Sequence, residues 1–150
     1  MRIVFVCTGN TCRSPMAEGF LKLIAKNNND FSLDVLSRGV VANEGAGASE
    51  FSVMAANEFG ADISTHTSHQ LTVDDVCDAD LILTVTVEHC MILRNEFKSH
   101  AHKVFSVKEF AGCDDIADPY GGDFNTYKNC ASQLIEACKI IYNKVNGNNK

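Results

Sequence analysis

Hydrophobic residues follow two different spacings along this chain. Residues 2–6 form a short, continuous apolar run rich in β-branched side chains, which is typical of a strand buried on both faces. Similar runs predict three further strands, at residues 33–37, 81–85 and 103–105. Between them, apolar positions recur every three or four residues and predict four helices, at residues 14–26, 51–59, through 92–97 and at 124–145. Alternating strands and helices favour right-handed βαβ units, so we expect a parallel sheet with helices on both faces.

Residues with special backbone preferences mark the predicted boundaries. Ser14 and Pro15 suit the cap and the first turn of the first helix, and the polar run 27–30 stops it. Residues 146–150 are typical of a frayed tail. No linker, repeat or shift in composition divides the chain, so residues 1–150 are predicted to form one domain.

The composition limits the kinds of partner. The 150 residues are 45% hydrophobic and 21% charged, as in an ordinary soluble globular domain. Thirteen Lys and Arg against 19 Asp and Glu give a formal net charge of -6, which argues against nucleic acid or an anionic membrane as the main partner. Any anion that the chain binds must therefore be held by local geometry.

The chain has seven cysteines, an odd number that cannot all pair in disulfides. No secretory leader precedes them and no apolar run reaches the ~20 residues of a membrane span, so we expect free thiols in a reducing cytoplasm. Cysteine is also a common core residue. Packing is the predicted role of five of the seven, at positions 77, 90, 113, 130 and 138.

The loop after the first strand is the candidate site, because ligands of parallel sheets collect beyond the carboxyl ends of the strands. Residues 6–15 read Val-Cys-Thr-Gly-Asn-Thr-Cys-Arg-Ser-Pro, without the Gly-Lys-Ser/Thr ending of a nucleotide-binding P-loop. The backbone N–H groups of such a loop can curl around one anion, and the N-terminus of the following helix adds a favourable field. This cradle fits a phosphate. The residues predicted to line it are Thr8, Gly9, Asn10, Thr11, Cys12 and Ser14.

Cys7 lies at the base of the predicted cradle, where the N–H groups, the helix N-terminus and Arg13 all favour its thiolate. It is therefore the predicted nucleophile. Arg13 offers a planar fork to two phosphate oxygens, and Ser14 can donate its hydroxyl to the sulfur. A buried cysteine and a capping serine would explain Cys7 and Ser14 separately, but they would not explain glycine, arginine and proline at these spacings.

The string Cys7-x5-Arg13-Ser14, near the N-terminus and after one strand, resembles the signature loop of the low-molecular-weight protein tyrosine phosphatases. Further matches to that family follow in the same order along nearly the whole chain, at Ser37-Arg38-Gly39, His66-x2-His69-Gln70, residues 80–83 and Asp118-Pro119-Tyr120-Gly121. The resemblance implies a single-domain α/β fold with a four-stranded parallel sheet, helices on both faces and the phosphate-binding loop after the first strand.

The resemblance also implies a reaction, the hydrolysis of protein phosphotyrosine and of aryl phosphates without a metal or another cofactor. Cys7 attacks phosphorus and forms a cysteinyl-phosphate, while the loop amides and Arg13 hold the phosphate oxygens. Asp118 matches the family's general acid, which protonates the leaving phenolate and then activates water. Residues 118–121 also favour a turn. The implied partners are phosphotyrosine proteins, among them a bacterial tyrosine kinase.

Other family positions correspond to supporting residues. Asn10, Ser37 and His66 match a hydrogen-bond network beneath the loop, and Tyr120 matches an aromatic wall of the substrate cleft. Cys12 matches a second loop cysteine that can form a regulatory disulfide with the nucleophile after mild oxidation.

Three positions depart from the family pattern. Asn43 stands near the place of a usual cleft aromatic, His69 stands where the family generally has arginine, and residues 84–86 replace a Met-Asp pair. We expect these differences to change substrate choice or stability.

Two other functions fit parts of the pattern. A thioredoxin-coupled arsenate reductase shares the fold and the loop, but it needs two relay cysteines; Cys90 is available, whereas Thr86 occupies roughly the place of the earlier one. A non-catalytic phosphopeptide-binding module would need Arg13 and the loop amides but neither Cys7 nor Asp118. A zinc site at the two loop cysteines lacks a second pair of ligands at suitable spacing.

Overall fold

A four-stranded parallel sheet forms the centre of the computed structural model, which describes residues 1–147. Its strands are β1 (Arg2–Cys7), β2 (Asp34–Gly39), β3 (Leu81–Thr84) and β4 (Val104–Ser106). They lie in the order β2-β1-β3-β4, so the chain leaves β1 toward one side and later returns to its other side. Such a reversal opens a crevice at the carboxyl end of β1. The α/β fold class predicted from the sequence is confirmed.

Within residues 1–147, six helices and one short 3₁₀ helix surround the sheet. The helices are α1 (Arg13–Asn27), α2 (Glu50–Glu58), α3 (Val73–Asp78), α4 (Val87–Glu96), α5 (Val107–Ala111) and α6 (Phe124–Val145), and the 3₁₀ helix covers Lys98–Lys103. The long periodic segments predicted as helices are all helical. No helix of residues 1–147 has both the length and the apolar character that crossing a bilayer requires.

The core lies on both faces of the sheet, and β1 separates its two parts. Alternate β1 residues point to opposite faces. Ile3 and Phe5 pack with residues of α1, α2 and α6, while Val4 and Val6 pack with residues of α3 and α4. All four side chains are fully buried. The sheet therefore holds the end of β1, and the loop that follows it, in a fixed place.

The structure corrects two predictions, and a third lies partly outside the residues that it describes. Ser14 does not cap α1, because Cys12 occupies the cap position and the Ser14 hydroxyl contacts the Cys7 sulfur instead. Cys77 is exposed rather than packed, whereas Cys113 is half-buried and packs against the core as predicted. The predicted tail is part of the described chain only to residue 147, so its last three residues lie outside the described range.

Two short helices were absent from the sequence prediction. α3 and α5 span six and five residues, too few for an apolar period to show. Each begins with a capping box, Thr72 with Asp75 and Ser106 with Glu109, in which side chain and backbone exchange hydrogen bonds. That spacing of polar residues was the available signal for both helices.

Candidate active site

A cleft of about 260 Å³ opens at the carboxyl end of β1. It is lined by Cys7, Thr8, Gly9, Thr11, Cys12, Arg13, Asp118 and Tyr120. All eight belong to the residues predicted to form the site, although Asp118 and Tyr120 are more than a hundred positions away from the loop. The fold brings them together because the segment before α6 passes over the end of the sheet.

Neighbouring segments hold the backbone of the loop from outside. The N–H groups of Val40 and Val41 donate to the carbonyls of Cys7 and Thr8, at 3.0 and 2.9 Å. On the other side, the Ser49 N–H donates to the Thr11 carbonyl at 2.9 Å. These bonds use carbonyl groups of the loop and none of its N–H groups, as a phosphate cradle requires.

Gly39, at the end of β2, permits this close packing. The strand register pairs it with Cys7, and a Cβ atom at Gly39 would lie 2.6 Å from the Thr8 carbonyl oxygen. That separation is shorter than any ordinary contact, so a larger residue here would displace the loop. The need for glycine at this position comes from proximity rather than from an unusual backbone angle.

Cys7 is almost completely buried at the floor of the cleft, with 3% of its surface exposed. Its sulfur lies 2.9 Å from the Ser14 hydroxyl, the contact predicted from the sequence. A hydroxyl at this distance can donate to a thiolate and stabilise its negative charge.

Arg13 lies along the edge of the cleft and is held by residues far away in the sequence. One terminal nitrogen, Nη1, donates to the Ile116 carbonyl at 2.9 Å. The other, Nη2, lies 3.6 Å from the Asp118 carboxylate. The guanidinium is buried while that carboxylate is about half exposed, so Arg13 is fixed and Asp118 stands at the mouth of the cleft.

Asp118 and Tyr120 belong to a tight turn, which the sequence also favoured. The Asp118 side chain accepts from the Tyr120 N–H at 3.1 Å, and the Gly122 N–H donates to the Pro119 carbonyl at 2.9 Å. Gly121 has a φ of +82°, which glycine adopts without strain. Tyr120 is 81% exposed and forms one wall of the cleft.

Asn10 is the centre of the network beneath the loop. It is fully buried and has a left-handed backbone, with φ 59°. Its amide group donates to the hydroxyls of Ser14 and Ser37, at 2.8 and 3.0 Å, and accepts from the His69 N–H at 2.9 Å. The side-chain NH2 group of Asn10 and its side-chain oxygen therefore all have hydrogen-bond partners.

The Asn10 carbonyl has two further partners. His66 Nε2 lies 2.8 Å from its oxygen, and the Ser68 hydroxyl donates to it at 2.7 Å. The structure thus places the three predicted supporting residues, Asn10, Ser37 and His66, around one another. Ser68 is an additional member that the sequence did not reveal, because a lone serine in a loop carries no signal of its own.

Cys12 is buried beside Ser49 and Tyr127. Its sulfur lies 3.4 Å from the Ser49 hydroxyl and 3.8 Å from the Tyr127 hydroxyl. Burial, together with the neighbouring Cys12, raises the pKa of Tyr127 to about 12, so the phenol stays neutral at physiological pH. The disulfide between Cys7 and Cys12 remains a prediction, and both are free thiols in this structure.

Two residues that depart from the family pattern, His69 and Asn43, do not line the cleft. His69 contacts the Glu44 carboxylate through Nδ1 at 3.0 Å, while its backbone supports Asn10. Asn43 is part of a turn in which its carbonyl accepts from the Ala46 N–H. Among the described residues, 1–147, Tyr120 is the one aromatic side chain that lines the cleft.

Two contacts of the site were absent from the sequence prediction. The Ile116 carbonyl that holds Arg13 is a backbone group, so the residue type gives no signal. His89 lies beneath the loop, with Nε2 2.9 Å from the Thr8 hydroxyl. A histidine inside a helical segment is indistinguishable from an ordinary core histidine until the fold is known.

A family model described as low molecular weight phosphotyrosine protein phosphatase matches residues 2–150 of this chain. The chain belongs to this family. Its resemblance in sequence to the family, first noted in the loop, is thereby confirmed over nearly the full length. The phosphatase assignment follows from membership together with the relatives that match.

Those relatives include enzymes of two specificities. A protein-arginine-phosphatase from Bacillus subtilis is 39% identical over 143 residues, which cover 94% of this chain and 94% of the relative. The low molecular weight protein-tyrosine-phosphatase PtpB from Staphylococcus epidermidis is 33% identical over 137 residues, 91% of this chain and 93% of the relative. Membership of the family therefore indicates a protein phosphatase. The relatives include both arginine phosphatases and tyrosine phosphatases.

Solved structures give the same result. A YwlE mutant from Bacillus subtilis superposes with a TM-score of 0.91 at 36% identity, covering 97% of this chain and 99% of that chain. A mutant of YwlE arginine phosphatase in which a serine replaces cysteine and the active-site serine is phosphorylated has a TM-score of 0.92 at 36% identity, with coverage of 99% and 98%.

Proposed function

We propose that this phosphatase hydrolyses phosphoarginine in proteins, through a cysteinyl-phosphate intermediate on Cys7. The observation that carries the proposal is the polar wall of the cleft, to which Thr11 of the phosphate loop and Asp118 of the turn before α6 both belong. The relatives named as arginine phosphatases support the same substrate. Two further features favour it: Tyr120 is the one aromatic side chain that residues 1–147 place in the cleft, and position 43 holds an asparagine rather than an aromatic residue.

The polar wall suits a guanidinium better than a phenyl ring. A guanidinium has several N–H donors and no acceptor, so it needs oxygen atoms around it. The Thr11 hydroxyl and the Asp118 carboxyl group supply them. A phenyl ring offers these polar groups no hydrogen bond, so it gains less from this wall of the cleft than a guanidinium does.

In the first step the Cys7 thiolate attacks phosphorus, and the bond between phosphorus and the guanidino nitrogen breaks. The electron pair of that bond goes to the nitrogen, which takes a proton from the Asp118 carboxyl, and arginine leaves. The loop N–H groups and Arg13 hold the three phosphoryl oxygens as their charge changes. The Ser14 hydroxyl, 2.9 Å from the sulfur, stabilises the thiolate before attack.

In the second step water attacks the phosphorus of the cysteinyl-phosphate. The Asp118 carboxylate takes a proton from that water, the sulfur–phosphorus bond breaks, and its electron pair returns to Cys7 as a thiolate. Inorganic phosphate leaves the loop. The fixed Arg13 supplies the positive charge in both steps.

Phosphotyrosine, the substrate predicted from the sequence, is the second candidate. Tyr120 offers a face on which a phenyl ring can stack, and PtpB relatives are named as tyrosine phosphatases. The partners predicted on that basis, including a bacterial tyrosine kinase, and the cytoplasmic location stay predictions.

The deciding experiment compares two peptides of one sequence that carry either phosphoarginine or phosphotyrosine. We expect faster phosphate release from phosphoarginine, and we expect Cys7→Ser to abolish release from both. Thr11→Val keeps the shape of the side chain but removes its hydroxyl. It should lower kcat/KM for phosphoarginine about tenfold, as for one lost hydrogen bond to a charged group, and leave phosphotyrosine hydrolysis no slower.

The assignment of Asp118 is tested separately with Asp118→Asn. With a leaving group of high pKa we expect release to slow about 10²- to 10⁴-fold. With an activated aryl phosphate, whose leaving group needs no proton, the loss should be much smaller. Equal losses for both leaving groups would exclude Asp118 as the general acid. Faster hydrolysis of phosphotyrosine than of phosphoarginine by the unaltered chain would overturn the proposed substrate and leave the phosphatase assignment intact.

A further inference from the structure

His89 lies in the first turns of α4, directly beneath the phosphate loop, and the steps above do not use it. It is 9% exposed. Nε2 lies 2.9 Å from the hydroxyl of Thr8, the first loop residue after the nucleophile. Nδ1 lies 2.5 Å from the hydroxyl of Thr86, whose oxygen also accepts the His89 N–H and caps α4.

We propose that His89 is a positioning residue for phosphoryl transfer, which fixes Thr8 by joining its hydroxyl to the cap of α4. The proposal rests on the phosphatase activity but not on which phosphorylated residue is the substrate. His89 does not line the cleft, so it acts on the reaction through Thr8.

The chemistry of a neutral imidazole explains why this residue type suits the position. One ring nitrogen carries a proton and donates, while the other accepts, so the ring can join two hydroxyl groups that each donate or accept. Burial lowers the pKa of His89, and the nearby Arg13 lowers it further, against the opposing effects of Glu88, Asp118 and Asp115. The ring is therefore neutral at physiological pH and able to bridge the two threonines.

The contact with His89 adds to a hydrogen bond that holds the backbone of Thr8. Its carbonyl accepts from the Val41 N–H, and its side chain points toward α4. The two bonds together fix the orientation of Thr8 and of the peptide group between Thr8 and Gly9. An error of about 1 Å in such a group is enough to slow a reaction about 10²-fold, although the group takes no part in the chemistry.

Three replacements of His89 differ in which contact they retain. In His89→Gln the side-chain amide reaches about as far as Nε2 and can still bond Thr8. In His89→Asn the shorter amide reaches only the place of Nδ1, near Thr86. In His89→Ala both contacts are lost. Met91→Ala, on the exposed side of the same helix, is the matched control, because Met91 is 66% exposed.

The assay is hydrolysis of an aryl phosphate at neutral pH, with the melting temperature measured for every variant. We expect kcat to fall about 5- to 50-fold in His89→Ala and His89→Asn, as for the loss of one buried hydrogen bond, with KM changed less than about twofold. His89→Gln should recover to within about threefold of the original chain, and Met91→Ala should not differ from it.

Thr8→Val tests whether His89 acts through Thr8. Combining Thr8→Val with His89→Ala should slow the reaction no further than the more damaging single change, since both remove the same contact. Independent, multiplying losses would overturn the proposal. So would equal losses in His89→Gln and His89→Asn at similar melting temperatures, which would indicate a purely structural histidine. An inactive original chain would instead count against the proposed function.

Discussion

Replacing Asn10 by alanine should destabilise the protein more than any other single change in the loop. The alanine removes three hydrogen bonds, two donated to Ser14 and Ser37 and one accepted from the His69 N–H. Each is worth about 1 kcal/mol. It also places an ordinary residue at φ 59°, a left-handed conformation that costs alanine about 1 kcal/mol more. The expected loss in the free energy of unfolding is therefore about 4 kcal/mol.

The chain contains its own control for the backbone part of this loss. Asn29 has nearly the same backbone angle, with φ 54°, but it is exposed and makes no side-chain hydrogen bond among the described residues. Asn29→Ala should therefore cost only about 1 kcal/mol. The difference between the two variants isolates the hydrogen-bond network around Asn10.

Thermal and urea unfolding, followed by circular dichroism, measure both losses. In a chain of this size 1 kcal/mol corresponds to about 2–4 °C in Tm, so we expect decreases of about 8–16 °C for Asn10→Ala and 2–4 °C for Asn29→Ala. A typical domain has about 5–15 kcal/mol of stability, so the first variant should still fold at 25 °C. Its phosphatase activity there should fall about 100-fold, because the loop amides are displaced. Equal Tm decreases in the two variants would refute this account of the loop.

Two further predictions concern packing around the site. Gly39→Ala should cost about 1–3 kcal/mol of stability and slow phosphate release, since the added Cβ meets the Thr8 carbonyl at 2.6 Å. Gly47→Ala, where a Cβ meets nothing within 4 Å, is the control for unfolding and activity, and equal behaviour would contradict the argument. Burial raises the pKa of Cys130 from 9.0 to about 12. Its contribution to stability is therefore complete below about pH 9 and is lost as the pH rises toward 12. Tm should decline over that range less steeply in Cys130→Ala than in the original chain, and parallel curves would exclude the thiol as the cause.

The sequence was most informative where a pattern is long or a motif is dense. The continuous apolar run of β1 and the apolar residues that recur every three or four positions in α6 are both visible in the sequence. The structure places both elements as predicted. The loop from Cys7 to Ser14 was recognisable because several residue types with separate chemical reasons stand at fixed spacings. The capping boxes of α3 and α5 were present but too short to be distinguished from ordinary polar loops.

The rest of the site depends on tertiary contacts that leave no local trace. The carbonyl of Ile116 reaches Arg13 across 103 positions of sequence, and Thr8 and His89 are 81 positions apart. Ser14 shows the opposite difficulty. A serine before Pro15 fits a helix cap well, yet the thiol of Cys7 competes successfully for the same hydroxyl in the folded chain.

In the segment that carries Asp118, buried residues and outward-facing residues have different roles. Ile116 is fully buried, its N–H donates to the Val85 carbonyl and its carbonyl holds Arg13. Pro119 is buried too, whereas Asp118 and Tyr120 face outward. The anchors that keep the anion site in shape are thus different residues from those that meet the rest of the substrate. Outward side chains such as Asp118 and Tyr120 can therefore be exchanged for others that suit a different phosphorylated residue, without disturbing the buried anchors of Arg13.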